Sequence, residues 1–126
     1  MKRILIVEDQ SDIRQLIRTT LEFDDYEIFE ADNGPRGLQM ALAMRPALVL
    51  LDVMMPGELD GYQVCERIKR DPATSLTRVV LLTARGQRAD LEQGKKAGCD
   101  SYLIKPFSPL ALIDLLDKLL ADPQEN

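Results

Sequence analysis

The sequence predicts an α/β fold, an open five-stranded parallel sheet that is doubly wound, with five helices covering its two faces. Three observations carry this. Short runs rich in Ile, Val and Leu alternate with longer stretches of helical spacing, five times over in 126 residues. The runs Ile4-Leu5-Ile6-Val7, Leu48-Val49-Leu50-Leu51 and Val79-Val80-Leu81-Leu82 are apolar without alternation. A strand needs that only when both of its faces are covered, as in a parallel sheet beneath helices. Five strand–helix pairs in this length leave a few residues per connection, and right-handed crossovers then give an open sheet.

The strands are expected at Arg3 to Val7, Glu27 to Ala31, Ala47 to Leu51, Arg78 to Leu82 and Ser101 to Ile104. Charge interrupts the second, Glu27-Ile28-Phe29-Glu30-Ala31, which suits a sheet edge. In the first helix Ile13, Leu16, Ile17, Thr20 and Leu21 share one face, and Arg14, Gln15 and Arg18 face away. Ser11 or Asp12 can cap it. The second helix begins near Asn33-Gly34-Pro35, with Pro early in the first turn, and packs through Leu38, Ala41 and Leu42. The third follows Asp60 as N-cap, packs through Val64, Cys65 and Ile68, and stops by Asp71-Pro72. The fourth, from about Gln87 to Lys96, has a weak apolar stripe and a glycine, Gly94, so it should be the least stable. The last starts after Ser108-Pro109, packs through Leu112, Leu115, Leu116 and Leu119, and frays at Asp122-Pro123. For five strands the flavodoxin-like order 2-1-3-4-5 is expected.

Composition narrows the function. Hydrophobic residues at 45% and charged residues at 29% describe one ordinary globular domain with enough apolar material for a core. A net charge of −5 argues against direct nucleic-acid binding, which leans on basic patches. With no histidine in the chain, a His general base, a Ser-His-Asp triad and His-ligated zinc are excluded. Cys65 and Cys99 form no CxxC and read as two reduced, mostly buried thiols. No signal peptide and no membrane-length apolar run is visible, so a cytoplasmic protein without membrane contact is expected.

In open parallel sheets, ligands bind outside the carboxyl ends of the strands. Glu8 and Asp9 follow the first strand, Asp52 the third, Thr83 and Ala84 the fourth, and Lys105 and Pro106 the fifth. The expected strand order puts these ends on one rim. Three carboxylates in a small volume repel, and a divalent cation resolves the conflict. The all-oxygen donor set favours magnesium, which keeps an open, hydrated side. Lys105 can pair with Asp52 and then with a phosphoryl oxygen, and Thr83 offers a hydroxyl donor. An aspartate in that company is a candidate nucleophile for phosphoryl transfer. Singly, each residue has a plainer reading: a cap, a solvated turn or a surface lysine. Jointly, four strand ends carry what one phosphate–magnesium site needs.

With these residues in place, the chain resembles the CheY-like receiver domain of two-component response regulators, from about Lys2 to Leu120. The motifs are Ile4-Leu5-Ile6-Val7-Glu8-Asp9, Leu50-Leu51-Asp52-Val53-Met54-Met55-Pro56, Asp60-Gly61, Leu82-Thr83-Ala84 and Tyr102-Leu103-Ile104-Lys105-Pro106-Phe107. The resemblance implies that Asp52 is phosphorylated from a phosphohistidine on a sensor histidine kinase or histidine phosphotransfer protein. It implies magnesium on Asp9, Asp52 and the Met54 carbonyl, with Glu8 acting mainly through a bound water. It also implies Lys105 on the phosphate and a cis bond before Pro106. Thr83 and Tyr102 would form the switch: Thr83 moves toward the phosphoryl group and Tyr102 fills the space. A downstream effector protein would then read the face of helix four, strand five and helix five. The family catalyses only its own phosphotransfer and autodephosphorylation.

Three departures from the family pattern stand out. The loop Pro56-Gly57-Glu58-Leu59-Asp60 is one residue longer than usual. The last helix carries Asp114, Asp117 and Lys118 and lacks the basic residues of the family's symmetric dimer, so a monomer or weak dimer is expected. Met54 and Arg85 occupy positions that tune phosphate lifetime in the family. Residues 1–121 form the expected receiver and 122–126 a polar tail, either the end of a stand-alone receiver or the start of a linker in a larger regulator. Other readings are less well served. A flavodoxin-type cofactor loop would be rich in Gly, Ser and Thr, whereas Glu8-Asp9-Gln10-Ser11-Asp12 repels a bare phosphate. A haloacid-dehalogenase-like hydrolase would carry a second aspartate where Met54 stands. A docking module that takes no phosphate would be expected to have lost an acid or the lysine, and this chain keeps them.

Overall fold

Five parallel strands lie in the order β2-β1-β3-β4-β5, the order expected from the sequence. The computed structural model describes residues 1–84 and 88–121. The strands are β1 Lys2–Val7, β2 Tyr26–Ala31, β3 Leu48–Asp52, β4 Arg78–Thr83 and β5 Ser101–Ile104. The helices are α1 Ser11–Leu21, α2 Gly34–Met44, α3 Gly61–Arg70, α4 Arg88–Ala97 and α5 Pro109–Leu119. The expected first residue of the fourth helix, Gln87, together with Arg85 and the 122–126 tail including Asp122-Pro123, lies outside the described residues.

Successive strand residues point to opposite faces, and the two faces hold two separate cores. Leu5, Val7, Val49, Leu51, Val79 and Leu81 meet Ala41 of α2, Val64, Cys65 and Ile68 of α3, and Ala97 of α4. Ile4, Ile6, Leu48, Leu50, Val80 and Leu82 meet Ile17 and Leu21 of α1 and Leu112 and Leu116 of α5. Runs apolar at every position are what this double burial requires. The edge strand β2 is half-buried along most of its length, as its charges foretold.

Side chains cap three helices, and at α3 the cap is the expected Asp60. Asn33 accepts from Arg36 N at 2.8 Å, and Ser108 Oγ accepts from Ala111 N at 3.1 Å. Asp60 and Gln63 form a reciprocal capping box. At α1 neither Ser11 nor Asp12 caps; the N-cap is Gln10, with no side-chain bond to the helix. Leu16 and Leu42, both expected in the core, are exposed. Helix α1 rests on the sheet along Ile17 and Leu21, which leaves Leu16 at the rim beside Ile13, Lys105, Pro106 and Phe107. Helix α2 lies so close to β1 that a Cβ on Gly37 would sit 2.6 Å from Val7 Cγ1. It buries Gly34, Gly37 and Ala41, and Leu42 turns outward.

Candidate functional site

The pairing register delivers the site. Val7 stands opposite Leu51, so Glu8 emerges beside Asp52. Asp52 stands opposite Leu82, so Thr83 comes one step later. Thr83 stands opposite Ile104, and Lys105 follows. Backbone bonds extend these ladders past the strand ends: Glu8 N to Ala31 O at 3.0 Å, Val53 N to Leu82 O at 3.0 Å and Lys105 N to Thr83 O at 2.7 Å.

Lys105 Nζ donates to Glu8 Oε1 at 2.6 Å and to Asp52 Oδ1 at 3.2 Å. Glu8 is fully buried and Asp52 is 3% exposed, whereas Asp9 opens to solvent. Oxygens of Glu8, Asp9 and Asp52 all lie within 4.8 Å of one another. Burial first, then the neighbouring Asp52 and Asp9 carboxylates, outweigh the opposing pull of Lys105 and together push the Glu8 carboxyl up to about 7. Burial opposes the charge on Lys105, but its two carboxylate partners outweigh that and hold its pKa above the ordinary lysine value.

Three carboxylates facing one ammonium suit a divalent cation. Two oxygens on one magnesium are at most about 4.2 Å apart, so small rotations of these side chains would bring them onto a shared ion. The donors are all oxygen and the Asp9 side is open, as a partly hydrated magnesium requires. Met54 stands at the rim, exposed, and its N–H donates to Asp52 Oδ1 at 3.3 Å.

The remaining expected residues frame the cluster. Thr83 is buried at the end of β4 and borders a depression of about 570 Å³ that Met54, Pro56, Tyr62, Asp90 and Gln93 also line. Tyr102 is on edge strand β5, 42% exposed. The Lys105–Pro106 peptide bond is cis.

Two residues matter to the site in ways that the local sequence does not mark. Gly61 opens α3 against the end of β3, where a Cβ would lie 2.3 Å from Asp52 O and 2.7 Å from Val53 Cα. The Asp60-Gly61 pair was visible, but not its contact with Asp52. Arg14, expected to face away, instead donates to the carbonyls of Glu8 at 2.7 Å and Asp9 at 3.3 Å. No local pattern marks that role, because its other partner, Glu30, belongs to β2.

A carboxylate cluster with an opposed lysine, at the carboxyl edge of a doubly wound sheet, is the layout of a phosphoryl-accepting signalling module. The chain belongs to the response regulator receiver domain family, whose model matches residues 4–117. It is 42% identical over 118 residues to the transcriptional regulatory protein ResD of Bacillus subtilis (strain 168), covering 94% of this chain and 48% of that protein. The chain thus spans about half the length of the curated relatives it matches. A putative response regulator from Chloroflexus aurantiacus superposes with a TM-score of 0.89 at 32% identity, covering 96% of this chain and 98% of that one. The receiver domain of sensor histidine kinase PA1611 from Pseudomonas aeruginosa superposes with a TM-score of 0.87 at 27% identity, covering 96% and 98%, and that structure holds a magnesium ion in its active site cleft. Receiver domains are phosphorylation-dependent switches rather than enzymes in the ordinary sense, and they pair with histidine kinases. Among the described residues no helix is long and apolar enough to cross a membrane.

Proposed function

We propose that Asp52 is the phosphoryl acceptor of this receiver, with Asp9, Asp52 and the Met54 carbonyl holding magnesium and Glu8 acting on it mainly through a bound water. The observation that carries this is the placement of Lys105 Nζ between the Glu8 and Asp52 carboxylates, 2.6 and 3.2 Å away. In the transfer, a carboxylate oxygen of Asp52 attacks phosphorus while the bond to the donor histidine nitrogen breaks, and the phosphoryl group moves intact. Lys105 stays within reach of the Asp52 carboxylate and passes to a phosphoryl oxygen. Thr83 and the Met54 N–H, already directed at Asp52 Oδ1, supply further donors. Bound magnesium would neutralise charge on the phosphoryl oxygens. The magnesium ion in the PA1611 receiver supports this assignment.

The readout runs from Thr83 to Tyr102. Drawing the Thr83 hydroxyl toward the phosphoryl group opens space that the exposed Tyr102 ring fills, biasing the face of α4, β5 and α5 for an effector protein. The donor is a sensor histidine kinase or a histidine phosphotransfer protein, and the setting is the cytoplasm. Dephosphorylation occurs at the same site. The transcriptional relatives suggest a regulator of transcription as the setting, with this acidic domain making no nucleic-acid contact of its own. Asp114, Asp117 and Lys118 on α5 favour a monomer or weak dimer.

The test is exposure to acetyl phosphate with and without magnesium, read by intact mass. One phosphoryl group is expected with magnesium, and none in Asp52→Asn. Full modification of that variant would overturn the assignment.

A further inference from the structure

The acidic turn after β1 is held from behind by a network that the phosphorylation chemistry does not itself use. Arg14 Nη1 donates to Glu8 O at 2.7 Å and to Asp9 O at 3.3 Å. Its Nε donates to Glu30 Oε1 at 3.2 Å. Arg18 Nε takes the other oxygen, Glu30 Oε2, at 2.6 Å, and Arg18 Nη2 reaches Ile28 O at 3.3 Å. Glu30 is fixed by the β1–β2 register, opposite Ile6. One guanidinium therefore ties α1, β2 and the end of β1 together at the two residues that carry the acids.

We propose that Arg14 is a positioning residue that sets the Glu8–Asp9 turn for cation binding, with Glu30 and Arg18 as its anchor. Its bonds go to main-chain carbonyls, so it leaves the carboxylate oxygens available to a metal. Its charge is met by Glu30, which limits repulsion of the incoming cation. The Arg14 side chain is only 19% exposed, so the fork is held in place and not merely solvated. A turn held in advance loses less freedom when the metal arrives, which is how outer groups raise metal affinity. A lysine would not replace it, because a single ammonium cannot reproduce a planar fork bonded to two carbonyls and a carboxylate at once.

This inference rests on the cation site proposed above, and the experiment separates the two. Magnesium binding to the full chain is measured by calorimetric titration for the native protein, Arg14→Ala, Arg14→Lys, Glu30→Gln and, as ligand control, Asp9→Asn. Amide hydrogen exchange of the metal-free forms supplies a readout independent of the metal. Arg14→Ala and Glu30→Gln are expected to bind magnesium about tenfold more weakly, with Arg14→Lys between them and the native protein. Exchange at Asp9 and Gln10 should quicken in both while Ile6 and Leu50 stay protected. Glu30→Gln keeps the guanidinium and removes its anchor, so it carries the comparison even where Arg14→Ala folds poorly. Native affinity in both variants, beside an Asp9→Asn that has lost binding, would overturn the role of Arg14 and leave the cation site standing. Tighter binding by Arg14→Ala with native-like Arg14→Lys would show a charge effect alone and likewise overturn it. Failure of the native chain to bind magnesium would overturn the site and this role together.

Discussion

Gly61→Ala tests whether the start of α3 is wedged against the end of β3. In most first turns of a helix the exchange is harmless or helpful, because alanine gains up to about 1 kcal/mol over glycine in helix propensity. Here the added methyl would meet Asp52 O at 2.3 Å, Val53 Cα at 2.7 Å and Asp52 C at 2.9 Å. A comfortable carbon–oxygen contact is about 3.3 Å, so the helix or the strand end must move by roughly 1 Å. All three atoms are main chain, so no side chain can swing aside, and the upper end of the usual overpacking cost, ~3 kcal/mol, applies. The propensity gain offsets about a third of that, leaving a net loss of about 2 kcal/mol. For a domain of this length that is roughly 8 °C in Tm. Urea unfolding should show a lower midpoint with an unchanged slope, and metal-dependent phosphorylation should slow because Asp52 is displaced. A Gly61→Ala protein as stable as the native one, or more so, would refute the packing argument.

Three further outcomes follow from the same geometry. Lys105→Met leaves the Glu8 and Asp52 carboxylates buried without their ammonium, so metal-free stability should drop by about 3 kcal/mol in urea unfolding, with magnesium restoring part of it; an unchanged midpoint would mean the pair contributes nothing. Asp60→Ala removes the reciprocal cap of α3 and should cost about 1 kcal/mol, checked by the same unfolding curve. Burial pushes the Cys65 thiol up to about 12 from its ordinary 9.0. Above pH 9 the unfolded chain therefore releases a proton the folded chain keeps, so Cys65 lowers stability as pH rises from 9 toward 12. At pH 8 its thiolate fraction is about a thousandfold below that of a free cysteine, and a thiol reagent should label it readily only after unfolding.

The sheet was legible because its strands are buried on both faces and show it in every residue, from Ile4 to Val7 and from Leu48 to Leu51. The site was legible for a related reason: a parallel sheet exposes one edge of strand ends, and each apolar run is followed at once by its polar residue. Helix faces were read less well. Periodicity put Leu16 and Leu42 in the core, but where a helix lies on a sheet depends on which side approaches closest. At α2 that side is set by Gly34 and Gly37, and at α1 by Ile17 and Leu21. The polar face of α1 is hard to read for the opposite reason. Arg14 and Arg18 find their partner on β2, and nothing near them in the chain announces Glu30. Long-range ion pairs of this kind need the register before they can be seen.

Whether Asp52 accepts the phosphoryl group is decided by locating that group in the chain. After exposure to acetyl phosphate, borohydride reduction converts an acyl phosphate on aspartate to homoserine, which peptide mapping places in the sequence. With magnesium present, homoserine is expected at position 52 alone, and chelation of the metal should abolish it. Homoserine at Asp9 instead, or the same yield at position 52 with the metal removed, would rule out metal-dependent phosphorylation of Asp52.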